Sequence, residues 1–413
     1  MKKRVLLLFL PIILYGENLK KLIELAEQKN DLVISKKYIE KSNEKNLLSK
    51  KSTYFPKLDA GAFYEKDTDA NPLQPTDSYG AFAKVSYDIY DGSKRSSLIK
   101  SAKSTLTSSI YATKALKKSL ALEITHTFFS IKTLESNLKA REEAQKTLKA
   151  QLERIKSFYE AKMATKDDVD RLQADFDTIN YDMESIRFQI LSLKSTLSLK
   201  TGVKVDNLDD SEFKKNIDDD ILQLDTTKSL IAQKESIKQS ANAIESYYYP
   251  NIRVEDSYTF YGYSGEDEFA NSIGATPLDK QNILLLSLNF RVFDYGELRK
   301  AKESTILNSQ AIDSQINYQI KEQDINYKLA KAKIKTEEIK IKSAKSALKA
   351  AKSAFETIEQ KYDAGIVDYI VYLDALTKKT LALALYKESL NSLEEAYGAY
   401  YYYAGKDIKE ELK

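Results

Sequence analysis

Two short stretches of the chain alternate apolar and polar residues with a period of two. In the first, Tyr79, Ala81, Ala83, Val85, Tyr87 and Ile89 alternate with Gly80, Phe82, Lys84, Ser86 and Asp88. In the second, Leu284, Leu286, Leu288, Phe290 and Val292 alternate with Leu285, Ser287, Asn289 and Arg291. One apolar face over about ten residues is a strand signature, and that length suits a tilted membrane-spanning strand. Each stretch has a weaker partner upstream, at 58–64 and 252–260, so β-hairpins are expected over about 57–90 and 251–293. Asp256 falls on the otherwise apolar face of the second partner. The hairpins are flanked by long runs without helix breakers: neither Gly nor Pro occurs at 93–201 or 297–364. These runs predict helices over 93–160 and 297–363, each about 100 Å long. Turns at 161–166 and 364–368 and returning helices follow. A membrane with its headgroups is only about 45 Å thick, so most of each helix must stand clear of it.

The pattern occurs twice. Tyr90 and Phe293, Tyr159 and Tyr362, Ala161 and Ala364, and Gly202 and Gly405 are all 203 residues apart. Pro56 and Pro250, which open the two β-windows, are 194 apart, so the second window holds about nine extra residues, placed in the loop within 262–280. One register held from strand to returning helix argues for a duplicated fold. The units are 17–202 and 225–405, joined by 203–224 and followed by a short tail, 406–413.

Composition changes the picture in three ways. With 12 Gly, 6 Pro and no Trp or Cys, the chain has the make-up of long helices, and neither disulfides nor a lipid-bearing N-terminal cysteine can form. Its 64 basic and 61 acidic residues nearly cancel, giving +3, which suits solvated helix faces and offers no footprint for nucleic acid. Lys2, Lys3 and Arg4 precede a short apolar run, 5–15, and Gly16, which reads as a cleaved export signal over 1–16 despite Leu14 standing where a small residue is preferred. No later run is apolar enough for a membrane helix, so a membrane crossing must be made by strands. Val85, Tyr87, Leu284, Leu286, Leu288 and Phe290 are then the lipid-facing positions. A soluble β-layer would alternate equally well; the export signal and the tyrosines at the strand ends favour the membrane. Four strands cannot close a barrel, so the chain must pool its strands with copies of itself.

The order of these segments resembles the TolC-type outer-membrane factors, the outer membrane efflux protein family, over essentially the whole mature chain. The motifs are Tyr54-Phe55-Pro56 and Tyr248-Tyr249-Pro250 before the first strands. Tyr90-Asp91-Gly92 and Phe293-Asp294-Tyr295-Gly296 follow the second strands. The helical turns are Tyr159-Glu160-Ala161-Lys162-Met163-Ala164 and Tyr362-Asp363-Ala364-Gly365-Ile366-Val367. The resemblance implies a mostly α fold with a membrane β-barrel: a homotrimer whose twelve strands form one barrel in the outer membrane of a Gram-negative bacterium, in contact with its lipid. Its helices would form a coiled-coil barrel in the periplasm, and 206–220 an equatorial segment. It further implies an exit duct for efflux or type I secretion. A periplasmic membrane-fusion adaptor and an inner-membrane pump of the RND, ABC or MFS type would dock at tips formed by Ala161, Met163, Ala164, Thr165, Ala364, Gly365, Ile366 and Val367. Asp374 and Tyr362 would line the periplasmic gate, with Val371 where a second acidic residue is common. Lys162 stands where the family has Gly, so the first turn is expected to differ in shape from the second. The tail after Gly405 leaves room for only a small C-terminal equatorial contribution.

The residues themselves carry no catalytic constellation. His126 is the sole histidine and there is no cysteine to join it, so neither a nucleophile pair nor a conventional zinc site can be assembled, and no cofactor is expected. His126 and the run Tyr400 to Tyr403 read as helix-packing residues. For Asp374 the plain alternative to a gate is a surface pair with Lys378, four residues on. Two other function classes stay open: a periplasmic adaptor, which should have one helical hairpin rather than a duplicated unit, and a secreted coiled-coil protein, which leaves the strands unexplained. The cargo stays open between drugs, small metabolites and polypeptides.

Overall fold

A computed structural model of the chain describes residues 17–68, 76–218, 220–264, 274 and 278–413. The expected signal, 1–16, and most of the two hairpin loops lie outside the described residues. The chain is mostly helical, with elements α1 (Leu19–Lys29), α2 (Asp31–Ser52), β1 (Lys57–Lys66), β2 (Asp77–Asp91), α3 (Lys94–Glu160), α4 (Lys166–Thr201), α5 (Asp225–Glu245), β3 (Asn251–Ser264), β4 (Lys280–Asn289), α6 (Glu297–Asp363) and α7 (Tyr369–Tyr403). Both α3 and α6 span 67 residues. No helix among the described residues is long and apolar enough to cross a membrane.

The chain forms two compact units, and neither is one of the sequence repeats. One unit comprises 38–111 and 227–318, the other Met1–Lys37, Ala112–Thr226 and Gln319–Lys413, so each draws on both halves of the chain.

The first unit holds an antiparallel sheet in the order β1-β2-β3-β4. Its register puts Leu58, Val85, Asp256 and Leu284 in one cross-strand row, and Tyr87, Val254 and Leu286 in another. Burial alternates along β2: at 79–85 the odd positions are exposed and the even ones partly covered, and at 256–260 of β3 the phase is opposite. One face of the sheet is therefore exposed and apolar, the other partly covered and mostly polar. Two expectations need correction here. Phe290 and Val292 were placed on the last strand, but β4 ends at Asn289. The register pairs Asn289 with Asn251, so the next partner would be Pro250, which has no N–H to extend the ladder. Ile89 was read as continuing the apolar face, but a bulge between Asp88 and Tyr90 sets Tyr90, not Ile89, opposite Ile252. Behind the sheet, α3 and α5 meet through a seam of hydroxyls. Ser101 lies 3.0 Å from Ser236 and 2.9 Å from Ser240, and Thr105 lies 2.8 Å from Ser236. Such small side chains let the two backbones approach closely.

The second unit has two cores. The larger packs Leu19, Leu22 and Ile23 of α1 with Ile124, Phe128 and Ile131 of α3, Leu197 of α4 and Tyr400 and Tyr401 of α7. Full burial of each large apolar side chain is worth about 1.5–3 kcal/mol. The segment before the first hairpin forms two helices rather than one, because Asn30 stands between α1 and α2. Its side chain accepts from the N–H groups of Leu32 and Val33 at 2.9 and 3.2 Å, capping α2. The segment joining the repeats wraps this core. Phe213 is buried against Phe129 and Tyr401, and the carbonyl of Asp218 accepts from the hydroxyls of Tyr400 (2.6 Å) and Tyr327 (3.0 Å). The tail is short but firmly held: Ile408 and Leu412 are buried, and Leu412 forms a β-bridge with Phe213. His126 is not a packing residue. Its exposed ring pairs with Glu395 of α7, Nδ1 to Oε1, at 2.6 Å.

Candidate functional site

The exposed face of the sheet bears the lipid-facing candidates on the strands. Leu284, Leu286 and Leu288 are 71%, 67% and 58% exposed, and Val85 stands in the same row as Leu284. Tyr87 shares that face but is partly covered, and Phe290 lies beyond the strand. Leu58, Tyr64, Tyr79 and Phe260 extend the exposed apolar surface. Asp256 interrupts it and accepts a hydrogen bond from Asn282 Nδ2 at 3.0 Å. The sheet has two open edges, the outer sides of β1 and β4.

In the second unit, two helical turns have one shape. In the first, Lys162 N–H donates to Tyr159 O (2.9 Å) and Met163 N–H to Phe158 O (2.7 Å). In the second, Gly365 N–H donates to Tyr362 O (3.0 Å) and Ile366 N–H to Lys361 O (2.8 Å). Both are the paired bonds that close a helix with a left-handed residue. That residue is Lys162 at φ +62° and Gly365 at φ +72°, so replacing Gly by Lys does not change the turn, contrary to expectation. It costs strain instead, about 1–2 kcal/mol for a side chain forced into that region.

The turns also end alike. Thr165 caps α4 in a reciprocal box with Asp168, whose carboxyl is held below its ordinary range by the hydrogen bonds from Thr165. Asp368 caps α7 by accepting from Val371 N–H at 3.0 Å. Of the docking candidates, the large side chains of Met163 and Ile366 are 74% and 71% exposed. Ala161, Thr165, Ala364 and Gly365 are exposed beside them, and Ala164 and Val367 are partly covered.

Beneath the turns lies the second core, where Leu148 and Leu152 of α3, Leu172 of α4, Phe355 of α6 and Tyr372 and Leu376 of α7 are buried together. The gate candidate Tyr362 belongs to it. Its ring stacks on Tyr372 at 4.7 Å, and burial raises its hydroxyl pKa. Tyr369 completes the cluster, donating to Asp175 Oδ2 at 3.2 Å. The other gate candidate, Asp374, is exposed and takes Lys378 Nζ at 2.7 Å along the helix. Sequence reasoning missed Arg154, which reaches from α3 to Asp363 at 2.6 Å. No periodicity or motif could have found it, because the contact depends on how the two helical hairpins lie side by side. Among the described residues, no group of acidic and histidine side chains could hold a metal ion.

The outer membrane efflux protein family model matches residues 22–183. No curated protein matches the chain. Among solved structures, a membrane protein from Pseudomonas aeruginosa is similar, with a TM-score of 0.82 at 15% identity, covering 94% of this chain and 93% of that one. The outer membrane protein VceC from Vibrio cholerae gives 0.79 at 14%, covering 94% and 96%. The CmeC outer membrane channel of Campylobacter jejuni gives 0.82 at 17%, covering 94% and 86%. The family model thus covers the first of the two sequence repeats, and the fold is shared with these outer-membrane structures along nearly the whole chain.

Proposed function

We propose that the chain is one third of an exit duct. Three copies close a twelve-stranded barrel in the outer membrane, and their helices continue it into the periplasm. Substrates delivered by an inner-membrane pump, of the RND, ABC or MFS type, pass through a membrane-fusion adaptor seated on the turns around Met163 and Ile366. No step of this role needs chemistry, and the chain supplies passage rather than catalysis.

The observation that carries this reading is the sheet: four antiparallel strands, one exposed apolar face, and two open edges. Alternation of strand direction means that β4 of one copy meets β1 of the next antiparallel, as an even-stranded membrane barrel requires. Open edges in lipid would leave backbone groups unpaired. Two copies give eight strands, whose interior side chains fill, so three is the smallest number that leaves a channel. The equal 67-residue lengths of α3 and α6 support a duplicated unit whose long helices stand side by side in the duct. CmeC and VceC, named as an outer membrane channel and an outer membrane protein, support the location.

Reconstitution of the purified protein into planar bilayers tests this, with discrete unit conductance expected. Protein that folds and inserts but never conducts contradicts it. Within the same recordings, a gate ring containing Asp374 predicts that Asp374→Ala weakens cation selectivity, whereas a plain surface pair with Lys378 predicts no change.

A further inference from the structure

The partly covered face of the sheet is built in two zones. Read along cross-strand rows from the helix end, it carries Asp88, Arg253 and Ser287, then Lys57, Ser86, Glu255 and Leu285, then Asp59, Lys84, Ser257 and Ile283, charged on β1 to β3 with two apolar residues on β4. These charges compensate one another. Asp59 stands directly opposite Lys84, and Arg253 holds Asp88 at 2.7 Å and Glu255 at 3.7 Å. Three acids face three bases, so this zone has little net field with which to select an ion. The polar lining expected of a membrane barrel stops there.

The rows nearest the loops are aromatic. Phe82 lies over Gly61 and Phe63 over Gly80, each directly across the ladder; a Cβ on Gly61 would come within 2.7 Å of Phe82, and one on Gly80 within 2.9 Å of Phe63. Rings laid over glycine backbone are held flat against the wall. Phe63 meets Tyr261 edge to face at 5.8 Å, and Tyr261 stacks on Tyr263 at 6.1 Å. Glu65 stands one row beyond Phe63 on the same face, opposite Ser78. All four rings are only partly covered.

We propose that Phe63, Phe82 and Tyr261 form a binding wall in the lumen for planar aromatic organic compounds, with Glu65 favouring those that carry a delocalised positive charge. Flat rings of the cargo meet the π-faces and edges of the wall, and the ring quadrupoles attract a cation. The compensated zone below lets such a molecule approach without an ionic trap. The wall rests on the reading of the partly covered face as the interior of a duct.

The protein contains no tryptophan, so Phe82→Trp places a single reporter in the wall. Ethidium added to the detergent-solubilised assembly should quench this tryptophan saturably, and tetrapropylammonium, an aliphatic cation, should not. Adding Tyr261→Ser, a ring that covers no glycine, should raise the half-saturating ethidium concentration about tenfold, the scale of one aromatic contact. Leu286→Trp, on the lipid face, should show only unsaturable quenching. Equal and unsaturable quenching at both positions, or saturation untouched by Tyr261→Ser, overturns the wall. Channel conductance of the parent protein separates the two readings: conducting parent channels with no saturable quenching in Phe82→Trp defeat the wall alone, and a parent that never conducts defeats the duct and the wall with it.

Discussion

Arg154 Nη1 lies 2.6 Å from Asp363 Oδ1, joining the last turns of α3 to the final residue of α6. The guanidinium also faces the rings of Phe158 and Tyr362, at 5.4 and 5.7 Å to their centroids. Both partners are substantially exposed, so the pair is worth only about 0.2–1 kcal/mol to folding. Its effect should lie in how tightly the two hairpins are held at the tip. Asp363→Ala should leave thermal unfolding nearly unchanged yet raise the conductance and leakiness of the duct in planar bilayers. Unchanged conductance would assign the pair to the surface alone.

The first turn carries strain that the second avoids. Lys162→Gly removes a side chain from a left-handed position, a gain partly offset by the freedom glycine brings to the unfolded chain. The expected net gain is about 1 kcal/mol, read as a rise in denaturant midpoint at constant slope. Gly365→Ala should lose stability by a similar amount, although space is open around it. A stabilising Gly365→Ala would contradict the shared turn geometry.

Tyr372 is fully buried, its hydroxyl makes no well-formed hydrogen bond among the described residues although Gln151 lies near it, and burial pushes its pKa up to about 12. An unpartnered hydroxyl costs folding energy, so Tyr372→Phe should stabilise the tip cluster by about 1 kcal/mol at neutral pH. The folded pKa exceeds the unfolded one of about 10. The stabilisation linked to the protonated form is therefore complete below pH 10 and is lost as pH rises toward 12. Tyr372→Phe should diminish that alkaline decline, with Tyr362 and Tyr369, also raised, sustaining the rest. An alkaline limb identical in parent and variant would contradict the burial.

Much of this arrangement was legible in the residue pattern. Scarce Gly and Pro made the long helices readable: the expected helix over 297–363 is Glu297–Asp363, while that over 93–160, found as Lys94–Glu160, ends where no breaker stands and is placed by its 203-residue offset from the turn at Gly365. Strand faces were readable from period two until a neighbour intervened. Pro250 ends the ladder before Phe290, and a bulge displaces Ile89, and both effects act across strands rather than along one. The break at Asn30 uses a side-chain cap that a helix interior can also tolerate as a surface residue. His126 and Arg154 find partners 269 and 209 residues away, so no local signal could pair them. The aromatic rows of the partly covered face were hidden because Phe63, Phe82 and Tyr261 come together only through pairing across strands.

The two faces of β4 should respond oppositely to charge. Leu286→Arg puts a cation in the lipid belt and should cost about 2–4 kcal/mol of barrel stability, while Ser287→Arg, one residue on, should cost far less. Folding titrations into lipid vesicles measure both. Equal tolerance would remove these strands from the membrane.

The account's central claim is that one chain supplies a third of a closed barrel. The direct measurement is the mass of the folded mature protein in detergent, by light scattering with the detergent contribution subtracted. A single species of three times the chain mass, persisting on dilution and dissociating only with unfolding, is the predicted result. A folded, stable monomer would mean that the open edges of β1 and β4 need no partner, and would contradict the account.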